Sequence, residues 1–266
     1  MRIAFIGGGT MGEAMVKCLL AKGVAAPQDI IISDVSPLRC EILSKEYGVS
    51  TLADNGKAIE GADLIILAVK PQDMARVTEE ILKANSLQPT ALVLSIIAGA
   101  SLSSLCRVLN HSSIVRAMPN MPAQIGEGMT VWTATIEVSP KQKEIARTVL
   151  GALGQELYVP DKKYIDMATA LSGSGPAYIF LFIEGLIDAG VHIGLPRDIA
   201  SKLVIQTMLG STLAAQKVVK HPAELRNMVT SPGGTTTEAL LRLERGGLRS
   251  LLIEAIAAAY SKAQHL

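Results

Sequence analysis

Ile3-Ala4-Phe5-Ile6-Gly7-Gly8-Gly9-Thr10-Met11-Gly12 is the stretch on which the fold turns. Four apolar residues without polar alternation predict a strand buried on both faces, and the glycines then end it. A helical pattern follows from about Met11 to Lys22, so the glycines join a strand to a helix. Gly7, Gly9 and Gly12 carry the spacing G-x-G-x-x-G. That spacing is weak by itself, because glycine-rich turns are common; at a first strand-to-helix turn it is specific. Gly7 permits the tight turn, Gly9 lets a pyrophosphate approach the backbone, and Gly12 lets helix and strand pack closely. The pyrophosphate then lies on free N–H groups at the positive end of the helix, with Gly8, Thr10 and Met11 around it. NAD(P)H is the expected coenzyme, and a ligand-free structural turn is the plainer alternative.

Outward from this turn the same alternation repeats. Residues 29–33 read as a strand, 37–47 as a helix, and 49–52 as a short extended piece. Residues 63–69 (DLIILAV) are a further buried strand, followed by a helix over about 72–84, a strand over 91–97 and another over 114–118. Apolar strands separated by helices predict a parallel sheet covered on both faces. The fold class is therefore α/β, a doubly wound, mainly parallel Rossmann-type sheet. Strands at 129–133 and 156–159 flank a helix at 140–153. Beyond Pro160 strand signals stop, and helices are predicted over 163–172, 176–193, 197–218, 222–229, 236–245 and about 248–263. Two domains follow: residues 1–160 for the dinucleotide and residues 161–266 as a helical domain. The helical faces are apolar nearly all round, more than a bundle of this size can bury, so a second subunit is expected to cover them.

Asp34 closes the second predicted strand, where a carboxylate can bond the ribose hydroxyls of NAD and repel a 2′-phosphate. Ser33, Ser36 and Arg39 surround it and offer the opposite possibility, a serine–arginine seat for that phosphate; a helix N-cap, for which Ser36 before Pro37 is also suited, is the plainer alternative, and the balance leans slightly to NADH. Ala68-Val69-Lys70-Pro71 ends a central strand, and ligands lie at such ends in open α/β sheets. Asn55, before a short helix, either reaches the coenzyme or caps that helix.

A second glycine-rich segment, Thr230-Ser231-Pro232-Gly233-Gly234-Thr235-Thr236-Thr237-Glu238, leads into a helix and contains no cation. Backbone N–H groups and hydroxyls there can form a nest for a small anion. A serine- or threonine-capped helix is the plainer alternative. The four histidines lie far apart, with His192 expected in a core and His221 at a helix boundary. No general acid stands out, which suits reduction of an already protonated imine better than oxidation of an alcohol.

The composition excludes several classes. With 25 basic and 24 acidic residues, and no strong bias in either half, a nucleic-acid partner is not expected. Three scattered cysteines without a CxxC pair predict reduced thiols, a cytoplasmic setting and no metal site. The opening apolar run is too short for a secretory signal. The longest apolar stretch, 177–195, carries Glu184 and Asp188, which argues against a membrane span.

Three stretches together resemble pyrroline-5-carboxylate reductase: FIGGGTMG (5–12) with LAVKPQ (67–72), LSGSGPAYIF (171–180), and RNMVTSPGGTTTEALLRLE (226–244). Met118-Pro119-Asn120 is also similar to that family's segment beside the nicotinamide. The resemblance implies reduction of Δ1-pyrroline-5-carboxylate to L-proline, the last step of proline biosynthesis. It implies that Ser231, Gly233, Gly234, Thr235 and Thr236 hold the substrate carboxylate, with the Thr236 hydroxyl on the ring nitrogen. It implies an interlocked dimer, often five of them in a decamer. Asp34 departs from the neutral or hydroxyl residue of many members. Two alternatives remain: a β-hydroxyacid dehydrogenase-like enzyme, for which Lys202, Lys217 and Lys220 lack the expected glycine-rich context, and a non-catalytic NAD(P)-sensing scaffold.

Overall fold

The structure, a computed structural model, describes residues 1–265. It divides into two compact units, one of residues 1–174 with 259–265 and the other of residues 175–258.

The first unit is built on an eight-stranded sheet. Its strands are β1 (Ile3–Ile6), β2 (Ile30–Ser33), β3 (Ser50–Leu52), β4 (Leu64–Leu67), β5 (Leu92–Ser95), β6 (Ile114–Met118), β7 (Gly128–Ala134) and β8 (Gly154–Tyr158). Their order is β3-β2-β1-β4-β5-β6-β7-β8. The first six run parallel, β7 is antiparallel to β6, and β8 is parallel to β7. Strand β1 pairs with β2 on one side and β4 on the other, so the strand order reverses beside it. Clefts for ligands open at such switch points.

Two cores lie on opposite faces of the sheet. Ile3, Phe5, Leu64 and Ile66 point into one, and Ala4, Ile6, Ile65 and Leu67 into the other. That is the pleat's period of two applied to strands apolar throughout. Each large side chain so buried contributes about 1.5–3 kcal/mol relative to exposure.

Helices α1 (Thr10–Ala21), α2 (Pro37–Tyr47), α3 (Asn55–Ile59), α4 (Met74–Ala84), α5 (Leu102–Leu109) and α6 (Pro140–Gly151) accompany the sheet. Their ends follow local chemistry. Ser36 accepts from the Arg39 N–H at the start of α2, Pro37 occupies its first turn, and Gly48 leaves it at φ +68°. Ser139 and Gln142 form a reciprocal capping box at α6.

The first unit extends past the expected boundary at 160/161. Helix α7 (Lys163–Ala168) places Ile165 fully inside and pairs Asp166 with buried Arg116 of β6 at 2.9 Å. Breaking such a pair leaves an uncompensated buried charge, so α7 is held to the sheet. A π-helical turn, Thr169–Gly173, follows in place of the simple helix predicted to 172.

The second unit contains α8 (Gly175–His192), α9 (Arg197–Lys217), α10 (Pro222–Met228), α11 (Thr235–Arg245) and most of α12 (Leu248–Ala263). Helices α8, α10 and α11 bury no residue, and α9 buries Ala200 alone. His192, expected in a core, is exposed. Its neighbours Val191 and Ile193 are exposed as well. His221 caps α10, its Nδ1 accepting from the Ala223 N–H.

Candidate active site

The glycine turn holds β1, α1 and β4 together. Gly7 has φ +103°, and a β-carbon there would stand 2.6 Å from the Ala68 carbonyl oxygen. A β-carbon on buried Gly12 would run into the Gly7 carbonyl. Both positions require glycine. Gly9 is different: it is the N-cap of α1, no side chain caps it, and a β-carbon there meets nothing within 4 Å. The first turn of α1 therefore offers its N–H groups beside open space, which is what a pyrophosphate needs.

A cleft of about 300 Å³ opens at the switch point. Gly7, Gly9, Asp34, Asn55, Ala68, Val69 and Lys70 all line it, so the structure brings together half of the residues expected at the coenzyme. Gly8, Thr10, Met11, Gly12 and Pro71 adjoin these in the chain without lining the cleft themselves.

Asp34 is fixed from two sides. Its Oδ2 accepts from the Gly8 N–H at 2.8 Å and its Oδ1 from the Ser36 N–H at 2.9 Å. Two backbone donors thus fix the orientation of the carboxyl group at the end of β2. The serine–arginine seat for a 2′-phosphate does not form. Ser33 is buried and gives its hydroxyl to Asn55 Oδ1 at 2.7 Å, while Ser36 caps α2. Arg39 turns to the other side of the glycine loop, where Nε donates to the Gly8 carbonyl at 2.6 Å and Nη2 pairs with Glu13. Burial raises the Glu13 pKa, but the bonds from Arg39 and Tyr47 and the Arg39 charge outweigh it, and the carboxyl lies below its ordinary value. Asn55 does not cap α3, since Asp54 does so through the Lys57 N–H. It lies on the cleft wall and donates to Glu80 Oε2 at 2.5 Å.

Met118 and Asn120 stand outside this cleft. Asn120 accepts from the Met129 N–H at 2.8 Å and donates to the Ser172 carbonyl at 3.0 Å. The Met118 methyl lies 3.2 Å from where a β-carbon on Gly173 would be. Both residues thus contact the π-helical turn 169–173, which runs into LSGSGP, and a π turn frees carbonyls that such an amide can satisfy.

Residues that sequence reasoning missed at the cleft are Val35, Asp73 and Arg76, with Glu80 behind them. Their signal was present: Asp73, at the N-cap of α4, and Arg76 and Glu80 on that helix follow at spacings of three and four and face one another.

In the second unit, α11 begins at Thr235 with Gly234 as N-cap. No side chain caps it, so the plainer alternative of a serine- or threonine-capped helix is not what the segment does. Gly233 has φ +69°, and a β-carbon on Gly234 would sit 2.5 Å from Ser231 Oγ. Thr237 donates its hydroxyl to the Ser231 carbonyl at 2.7 Å and closes the turn. Among the described residues, the hydroxyls of Thr235 and half-buried Thr236 take no part in closing the turn. The turn presents backbone N–H groups and hydroxyls, with no carboxylate between Thr230 and Thr237.

Comparison with known proteins decides the family. Over all 266 residues the chain is 42% identical to pyrroline-5-carboxylate reductase of Synechocystis, covering 98% of that protein. The chain belongs to the pyrroline-5-carboxylate reductase family. The Escherichia coli member is 38% identical over the full chain, again covering 98% of that protein. Residues 162–266 match the family model described as pyrroline-5-carboxylate reductase dimerisation, and residues 2–99 match one described as NADP oxidoreductase coenzyme F420-dependent. Among solved structures, a pyrroline-5-carboxylate reductase from Coxiella burnetii is 38% identical, with a TM-score of 0.91 over 99% of this chain and 97% of that one. A Plasmodium falciparum pyrroline carboxylate reductase with NADP bound is 30% identical, with a TM-score of 0.89 over 100% and 97%. Prephenate dehydrogenase from A. aeolicus, at 15% identity and a TM-score of 0.56, shares the fold alone.

Proposed function

We propose that this chain reduces Δ1-pyrroline-5-carboxylate to L-proline with NAD(P)H, the last step of proline biosynthesis. The observation that carries the reading is identity to a pyrroline-5-carboxylate reductase over the whole length of both chains. The coenzyme, when bound, supplies the hydride. Gly7, Gly9 and Gly12 make room for its pyrophosphate, and Asp34 holds its adenosine ribose. Ala68, Val69 and Lys70 border it along the ends of the strands. The N–H groups around Gly233 and Gly234, with the Ser231 and Thr235 hydroxyls, hold the substrate carboxylate. Thr236 sets the ring nitrogen and steadies the proton on it. An imine protonated before it binds needs orientation more than a general acid, and no such acid stands in the Ser231–Thr237 turn.

The enzyme works as a homo-oligomer in the cytoplasm, a dimer through its helical unit, with five dimers forming a decamer. Supporting this, the helical unit exposes Leu181 at 68% and Ile253 at 71%, and its model is that of a dimerisation domain. Among the described residues, the run 163–192 is long and apolar enough to cross a membrane by length and composition. Glu184 and the Asp188–Arg197 pair within and beside it favour a protein cover over lipid.

Oxidation of NAD(P)H by the purified chain, followed with pyrroline-5-carboxylate and with a panel of 3-keto acids, tests the reaction. Turnover of the imine alone is expected; turnover of the keto acids alone, or coenzyme binding without turnover, would refute it. Light scattering tests the assembly, and a monodisperse particle of 28.1 kDa would refute it.

A further inference from the structure

The charges at the ribose end of the coenzyme cleft carry one more inference, which rests on the reading that the first unit takes a nicotinamide dinucleotide. Of the described residues lining that cleft, Lys70 and Arg76 are the cations, since Arg39 is spent on Glu13 and the Gly8 carbonyl. Arg76 also borders the adjoining hollow beside Val35 and Asn55, at the end of β2 where Asp34 stands; Lys70 does not, and Lys83, which does, is paired with Glu79 at 2.6 Å and lies outside the cleft itself.

Arg76 is restrained on both sides. Its Nη1 donates to Glu80 Oε1 at 2.9 Å, and its Nη2 lies 3.5 Å from Asp73 Oδ1. A pair spaced i,i+4 on an exposed helix face would ordinarily come and go. This one differs because Glu80 is itself tied down: its other oxygen accepts from Asn55, which is 7% exposed, and Asn55 in turn accepts the hydroxyl of buried Ser33. A chain of bonds thus runs from the end of β2 through Asn55 and Glu80 to the guanidinium at the cleft rim.

We propose that Arg76 is the residue that meets the 2′ position of the coenzyme's adenosine ribose, and that Glu80, anchored by Asn55, keeps its charge neutralised so that the cleft favours NADH over NADPH. Asp34 excludes the 2′-phosphate by repulsion, and the Glu80 pair withholds the cation that would otherwise compensate. Two independent features then act in the same direction.

Binding of 2′,5′-ADP and of 5′-AMP to the full-length chain, measured by calorimetry, reads this without any turnover. The ratio of the two affinities isolates the 2′-phosphate. Glu80→Gln keeps an acceptor for Asn55 and removes the negative charge, and it should raise the ratio in favour of 2′,5′-ADP about tenfold, the scale of one charge-assisted contact near a surface. Adding Arg76→Met should cancel that gain. An unchanged ratio in Glu80→Gln, or a gain that survives loss of Arg76, would overturn the proposal. Arg76→Glu, a change at an exposed position outside the core, should lower the ratio about tenfold by placing a like charge at the phosphate. No change there would overturn it as well. If the wild-type chain bound neither nucleotide, the dinucleotide reading would fail first and this proposal with it, a result distinct from a ratio that does not move.

Discussion

Replacing Gly9 with valine separates the coenzyme from the fold. Gly9 caps α1 at φ −67° and ψ −176°, an extended conformation open to any residue, and a β-carbon there meets no atom within 4 Å. The variant should therefore fold. Loss of a favourable N-cap residue costs about 1 kcal/mol, and in a chain of this size that lowers Tm by about 2–4 °C. The added methyl groups fill the space in which a pyrophosphate would touch the backbone. Two charge-assisted N–H contacts, at about 1.5–3 kcal/mol each, are then lost. Coenzyme affinity should fall by about 3–6 kcal/mol, roughly a hundredfold to ten-thousandfold. Calorimetric titration with NADH and NADPH, beside a thermal melt, measures both quantities. Gly12→Val is the contrast, because its β-carbon drives into the Gly7 carbonyl and should cost the fold itself. Unchanged coenzyme affinity in a folded Gly9→Val variant would refute the assignment of the glycine turn.

Thr236→Ala should lower kcat and kcat/KM with pyrroline-5-carboxylate by about tenfold to a hundredfold while sparing coenzyme affinity, and Thr236→Ser should retain most activity; a fully active alanine variant would show the hydroxyl to be idle. Asp34→Ser removes the charge facing a 2′-phosphate and should shift the kcat/KM ratio towards NADPH by about 1–3 kcal/mol, with steady-state kinetics on both coenzymes as the check. The Glu13 pKa is lowered in the folded chain, so between that pKa and the ordinary value of 4.5 the unfolded chain binds more protons than the folded one. Stability from this group is present above pH 4.5 and lost as pH falls through the folded pKa; Glu13→Gln should flatten that acid limb in urea titrations, and an identical limb would refute the Arg39–Glu13–Tyr47 cluster as its source.

Wherever local chemistry decides, the sequence was legible. Helix α2 runs over the residues predicted, 37–47, and the apolar runs at β1, β4 and β5 are the buried strands that periodicity predicts. Helix α5 was missed although Ser101 caps it and Leu105 and Leu109 form its buried stripe. The reversal of β7 was not legible, because strand direction is set by the path of the chain and not by the residues of the strand. Nor was the π turn at 169–173, whose i→i+5 bonding depends on Asn120 and Met118 some fifty residues away. At the site, Arg39 looked like the phosphate partner because it is near Asp34 in sequence. The fold gives it to Glu13 and places Arg76, forty-two positions after Asp34 (76 − 34), on the cleft instead.

The contrast between the two units bears on how the enzyme is assembled. The first closes two cores within one chain and keeps its coenzyme cleft on strand ends that those cores fix. The second leaves Leu181, Leu203, Ile205 and Ile253 more than half exposed, and three of its helices bury nothing. Helices with so little interior gain their stability from what they pack against, so ordering of this unit and its association belong to one event. The Ser231–Thr237 turn lies at the start of α11, one of the helices without a buried residue. In the role proposed for it, its hydroxyls and N–H groups reach the tolerance that hydride transfer demands only once α11 is itself held. On the proposed function, coenzyme binding is thus a property of the folded chain, whereas recognition of the imine depends on the assembled dimer.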